Sequence, residues 1–225
     1  MQATSKERIL KKIRKALINK SPEIYPSLDF KKNIYVLPDK DGPTLDIVFA
    51  EQFTKADGKF IFCENLAEFA SKIGFLIQEN NWKHICCFEE TITNQLKESD
   101  IPFSSKKKDM EKMEVGITNC EYLIARSGSV MVSSAQLSGR QMAVYPPIHI
   151  IIAYTEQLVT HVKDAIEEIQ KKYGKKLPSL ITTITGPSRT ADIEKTLIIG
   201  AHGPKEIYVF MIDKNAGKPK TKDQE

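Results

Sequence analysis

"ITGPSRTADIEKTLIIGAHGPKEIYVFMID" occupies Ile184–Asp213 of a 225-residue chain. It begins at the end of the apolar run "SLITTIT" (179–185) and closes on a second, "EIYVFMID" (206–213). Neither run carries the regular polar alternation of a strand with one wet face, so each reads as a covered strand. The segment between them opens on a Gly-Pro turn and reads as a helix over roughly 190–199. Ser188 or Thr190 is placed to cap it. Strand, turn, helix and strand in that order form the repeating unit of an open parallel sheet.

The same texture extends backward from this stretch. "IHIIIAY" (148–154), "HICCF" (84–88) and "KFIFC" (59–63) are apolar strands. "TLDIVFAEQFTKA", "LAEFASKIGFLIQEN" and "ITNQLKES" are helices, the second entered through Asn65 and Glu68 as a capping box. Leu158, Val159, Val162, Ala165, Ile166 and Ile169 mark a further helix. "YLIARSGSVMVSS" reads as two short strands joined around Ser127-Gly128. The fold class is therefore α/β: three layers, α/β/α, with a largely parallel sheet. Residues 44–213 make up this domain. Before it lie a basic amphipathic helix within residues 1–20, capped by Thr4 and Glu7, and a proline-rich connecting loop over 21–43. After it, 214–225 reads as a disordered tail.

Hydrophobic residues make up 41% of the chain, enough for a globular core. The longest apolar runs fall far short of a membrane span, and charges break up the N-terminal apolar positions, so the expectation is a cytoplasmic protein without a membrane partner. Cys63, Cys86, Cys87 and Cys120 show no C-x-x-C spacing, and no H-x-x-x-H is present. Neither a metal nor an iron–sulfur cluster is predicted on this chain. The net charge of +4 conceals a division. Residues 1–20 carry seven bases against one acid, whereas 21–213 total −4. That acidic body argues against nucleic acid as a partner. G-x-G-x-x-G, G-x-x-x-x-G-K-[ST] and G-x-S-x-G are all missing, which disfavours dinucleotide and P-loop chemistry.

Only five of the 33 basic residues are arginine, and three of those lie in the body. Arg126, Arg140 and Arg189 each sit in a small-residue turn: "ARSGS", "LSGRQ" and "GPSRT". A guanidinium fork matches a carboxylate or phosphate in a way lysine does not. Small neighbours let a ligand reach backbone N–H groups. The expectation is a pocket for a small anionic ligand at the 186–190 turn, formed by Gly186, Pro187, Ser188, Arg189, Thr190, Arg126, Ser127, Gly128, Ser129 and Arg140. His202, in "AHGP", and Asp192 are the candidate catalytic groups. His149 reads as a core or rim histidine.

Taken together, "VGITNCEYLIARSGSVMVSS", "GRQMAVYPPIHIIIAY" and the opening stretch resemble the lactate-utilisation protein C family, that is, the LUD-domain or YkgG family. The resemblance is strong over Val115–Asp213 and rests above all on G-P-S-R-T-A-D-I-E paired with G-x-H-G-P. It implies a fold similar to the sugar-phosphate isomerase and CoA-transferase superfamily. It also implies a part in oxidising L-lactate to pyruvate beside partner proteins that carry iron–sulfur clusters. Association into a homo-oligomer is compatible with it. One position departs from the pattern. The family usually reads A-E-[TS]-G-T where this chain has Ala125-Arg126-Ser127-Gly128-Ser129, so a carboxylate base cannot be carried over to 126. Two alternatives stand beside this reading. One is a non-catalytic assembly protein that docks iron–sulfur partners. The other is an acyl- or folate-type transferase or ligase, for which a strand-end glutamate such as Glu89 or Glu90 would be the mark.

Overall fold

The computed structural model describes residues 4–18, 42–190 and 198–213. The chain divides into two compact units, Met1–Gly42 and Pro43–Glu225. In the first, helix α1 (Ser5–Ile18) starts at a reciprocal cap. Glu7 N donates to Thr4 Oγ1, and the Glu7 carboxylate accepts from Thr4 N at 2.7 Å. Two of the first-turn N–H groups are satisfied in this way.

The second unit begins with α2 (Leu45–Lys55), β1 (Lys59–Cys63) and α3 (Leu66–Asn80). The Asn65 side chain accepts from Glu68 N to cap α3, as the sequence predicts. Next come β2 (Ile85–Cys87), α4 (Glu90–Glu98) and β3 (Val115–Asn119), followed by the hairpin of β4 (Tyr122–Ile124) and β5 (Ser129–Ser133). The remaining elements are β6 (Ile148–Tyr154), β7 (Leu158–Val159), α5 (Val162–Tyr173), β8 (Ile181–Ile184), β9 (Arg189–Thr190), β10 (Ile198–Ile199) and β11 (Glu206–Ile212).

The central sheet has five strands in the order β1-β11-β6-β3-β2, all parallel. Alternate residues divide its two faces between two cores. On one face Ile150, Ile152, Phe210 and Ile212 pack with Phe69 and Ile73 of α3 and Leu96 of α4. Phe69 meets Phe210 edge to face at 5.2 Å. On the other face Ile151, Ala153, Val209 and Met211 pack with Phe49 and Phe53 of α2, and with Leu123 and Val130 of the hairpin. The adjacent Cys86 and Cys87 lie in different cores, as strand alternation requires. All four cysteines are buried and free. The result is an α/β fold with a parallel central sheet flanked by helices. Among the described residues, no helix is long and apolar enough to cross a membrane.

Three expectations need correction. First, β8 does not join the central sheet. It lies antiparallel to β5 at the edge of a second, four-stranded sheet, β7-β4-β5-β8, whose outer face is covered by Ala165 and Ile169 of α5. The threonines of "ITTI" are partly exposed, as an edge position allows. Second, Leu158 and Val159 form a strand, not helix. They pair with Leu123 and Ile124, and α5 starts only at Val162. An apolar run this short fits either period, and the free edge of β4 decides it. Third, the ends of the expected 190–199 helix are strands: Arg189 and Thr190 pair antiparallel with Ile199 and Ile198. Thr190 is therefore not a helix cap. Residues 191–197, including Asp192, and the tail from 214 lie outside the described residues, as does most of the expected 21–43 loop.

Candidate functional site

The small-residue turns around Gly128 and Gly186 both pack on α2. Gly186 has φ +75°, and a Cβ there would come within 2.0 Å of Ala56 O. Gly128 has φ +57°, and a Cβ there would come within 2.2 Å of Phe53 N. Ser129 Oγ ties the two turns together, at 2.8 Å from Ser127 Oγ and 2.7 Å from Thr185 Oγ1. Arg189 reaches the end of the same helix. Its guanidinium pairs with Asp57 and donates to Ala56 O at 3.2 Å. A cation on the last carbonyls of a helix is a favourable C-terminal partner. Arg126 is exposed at the start of the hairpin turn, and its backbone N donates to Thr160 O at 3.3 Å.

Arg140 does not join them. Its Nη2 donates to Ser179 Oγ at 2.6 Å, and Ser179 Oγ lies 3.1 Å from Ser134 Oγ. That is the opposite end of the β5–β8 ladder, roughly 14 Å of strand away. The expected convergence of three arginines on one turn is therefore not what the chain builds. The two signature motifs do meet, through backbone. Ser188 N donates to Pro204 O and Gly200 N to Ser188 O, both at 2.9 Å. Pro187 stands half-buried in this turn. His202 is exposed and lines a cleft of about 420 Å³ with Tyr145 and Lys205, beside the starts of β6 and β11.

Open parallel sheets take ligands beyond the carboxyl ends of their strands. Here β2, β3 and β6 end at a cleft of about 330 Å³ lined by Glu89, Asn119, Glu121, Gln136, Tyr154 and Lys172, among others. Each wall has a covalent reason to be there. Glu89 follows β2 and Glu121 follows β3, while Lys172 and Tyr173 close the last turn of α5. Gln136 belongs to the loop leaving β5, which Arg140 anchors through Ser179. Ser133 N donates to Gln136 Oε1 at 2.9 Å, and Ser138 N donates to Glu89 Oε1 at 3.0 Å. Gln157 braces the floor by donating to Cys120 O at 2.7 Å.

Glu121 is buried at 3% exposure, yet its carboxylate has three donors. Ser133 Oγ donates at 2.6 Å, Tyr173 OH at 2.7 Å and Lys172 Nζ at 2.8 Å. Burial alone pushes its pKa up. The three donors, Lys172 first, outweigh burial and hold it below the ordinary carboxylate value. For Lys172, burial pulls the pKa down and the bond to Glu121 more than restores it, leaving it raised. Burial and the same carboxylate raise Tyr173. The cleft therefore holds a charged carboxylate and a charged ammonium at its rim. An ammonium has three donors, so N–H groups of Lys172 remain for a ligand oxygen. Asn119 Oδ1 is buried at the strand end without a hydrogen-bond partner among the described residues. No group of three or more His, Cys, Asp or Glu among the described residues is arranged to hold a metal ion.

Residues 97–212, a little over half of the chain, match the model of the LUD domain. The chain belongs to the LUD-domain family. Lactate utilization protein C of Bacillus subtilis is 37% identical over 110 residues, covering 48% of this chain and 46% of that protein. The protein of the same name in Halalkalibacterium halodurans is 36% identical over 107 residues, 46% of each chain. Uncharacterized protein YkgG of Escherichia coli is 35% identical over 106 residues, again 46% of each. The chain thus spans about half the length of these curated relatives. The crystal structure of a DUF162 family protein from Deinococcus radiodurans superposes with a TM-score of 0.55 at 15% identity, covering 75% of this chain and 96% of that one. This likeness shows that the two chains share a fold. Glu121, Lys172, Tyr173 and Asn119 had no signal in the sequence beyond an acid at a strand end and a basic last turn of a helix. Their meeting depends on the second sheet, which places α5 against the end of β3.

Proposed function

We propose that this LUD-domain chain serves lactate utilisation by holding a small carboxylate-bearing molecule in the cleft beyond β2, β3 and β6. The relatives' names supply the pathway. The Glu121–Lys172 pair supports the choice of site, because it keeps an ammonium at the mouth of a strand-end cleft with donors to spare. In the fuller reading, L-lactate is oxidised to pyruvate with iron–sulfur partner proteins, and this chain contributes the bound small anion. The 186–190 turn is less suited to that anion, because Arg189 Nη2 is held by Ala56 O and by the exposed Asp57 carboxylate at the surface, whereas Lys172 stands at the mouth of a strand-end cleft. Isothermal titration of the full chain with L-lactate and with pyruvate tests the reading. Saturable binding that Lys172→Met weakens about tenfold or more, and Arg189→Lys leaves unchanged, is expected. Binding abolished by Arg189→Lys and untouched by Lys172→Met would move the site to the turn. No saturable binding of either acid would remove the ligand from the reading.

A further inference from the structure

Two carboxylates share the strand-end cleft, and they are not equally provided for. Glu121 accepts from Ser133, Tyr173 and Lys172. Glu89 is 6% exposed, and among the described residues its carboxylate takes one hydrogen bond, from Ser138 N at 3.0 Å. A carboxylate offers about four acceptor positions. Neither Glu89 oxygen is among the sealed polar atoms that lack a partner, so the remaining acceptor positions are open to the cleft and would be closed off only by an occupant. Glu89 lines the cleft, so the natural source of a further donor is whatever occupies it. We propose that Glu89 reads a hydroxyl on the ligand, so that the cleft selects 2-hydroxy acids over the corresponding 2-keto acids.

This rests on the ligand reading above and assigns the two ends of the molecule. The ligand's carboxylate lies toward the Lys172 ammonium, and its C2 substituent lies toward Glu89. A hydroxyl there donates to the carboxylate. A keto oxygen brings a second acceptor against the first, and neither is satisfied. Sites built to bond a substrate hydroxyl reject the analogue lacking it far more strongly than apolar pockets reject a missing methylene. The asymmetry arises because a buried acceptor left without its donor bears its full desolvation cost.

The test compares L-lactate, its O-methyl ether and pyruvate by titration against the full chain, wild type and Glu89→Gln. The wild type is expected to bind L-lactate about tenfold or more tighter than either analogue. Glu89→Gln keeps the side-chain volume and an acceptor for Ser138 N, and it adds an NH₂ donor. It is expected to shift the preference toward pyruvate by about tenfold, which a merely structural residue would not do. Equal wild-type affinity for the three probes overturns the hydroxyl assignment and leaves the cleft reading intact. Binding of none of them overturns both. A folded Glu89→Gln that keeps the wild-type preference overturns the assignment to Glu89. If that variant does not fold, Glu89→Asp, which draws the carboxylate back from the hydroxyl, takes its place and is expected to lose the preference.

Discussion

Lys172 Nζ and Glu121 Oε2 lie 2.8 Å apart, joining the last turn of α5 to the carboxyl end of β3. The two partners live in different surroundings. The Lys172 side chain is 54% exposed, whereas that of Glu121 is 1% exposed. Removing Lys172 therefore lets its end of the pair be replaced by water only in part, because the carboxylate stays buried. Removing Glu121 strands Ser133, Tyr173 and Lys172 together. Glu121→Ala is expected to lower stability by about 3 kcal/mol. Glu121→Gln, which still accepts from the two hydroxyls, is expected to cost about half that. Urea denaturation with an unchanged m-value checks both. Equal costs for the two variants would mean that the hydroxyl bonds contribute nothing.

Acid should act on this protein in two stages. His149 is fully buried on β6, with Nε2 2.8 Å from Thr118 Oγ1 and no partner for Nδ1 among the described residues. Burial pulls its pKa down to about 3. The folded chain thus refuses a proton that the unfolded chain accepts from about pH 6.5 downward. Stability falls by up to about 1.4 kcal/mol per pH unit over that interval and levels off, for this group, below pH 3. Glu121 adds the second stage. Its folded pKa lies below the unfolded value, so its stabilisation is complete above about pH 4.5 and is lost as pH falls through the folded value. The double variant Thr118→Val/His149→Leu removes both ends of one buried bond, so it should be nearly neutral at pH 8. Denaturation midpoints measured from pH 8 to 4.5 should then be flatter than wild type. An unchanged slope would assign the acid sensitivity to other groups.

The parallel sheet, α3 with its Asn65 cap and the hairpin at Gly128 were legible because each rests on local chemistry: apolar runs, a capping side chain, a left-handed turn. The assembly of that hairpin with β7 and β8 into a second sheet was not legible. "SLITTIT" and "LV" at 158–159 are short apolar runs whose partners, β5 and β4, lie far along the chain, and nothing within either run names a partner. The site followed the same rule. Scarcity drew attention to the three arginines, yet two of them sit at turns packed on α2 and the third anchors a loop. Glu121 is one acid among 29 acidic residues in the sequence. Only the tertiary fold brings Ser133, Lys172 and Tyr173 to it.

The two turns against α2 give the remaining prediction. Gly128 and Gly186 both have positive φ, and each lies under a fixed backbone: the N of Phe53 in one case, the carbonyl oxygen of Ala56 in the other. Gly139, at φ +63°, has nothing within 4 Å of an added Cβ. Alanine at Gly139 therefore faces only the left-handed backbone penalty, about 1 kcal/mol. Alanine at Gly128 or Gly186 faces that penalty plus a contact that only displacement of α2 relieves. A cost of about 3 kcal/mol or more is expected at each, with partial exposure of Phe49 and Phe53. Thermal denaturation of the three variants ranks them directly. If Gly128→Ala and Gly186→Ala melt with Gly139→Ala, α2 is not held between these turns. The small residues of "SGS" and "GPS" would then need a reason other than helix packing.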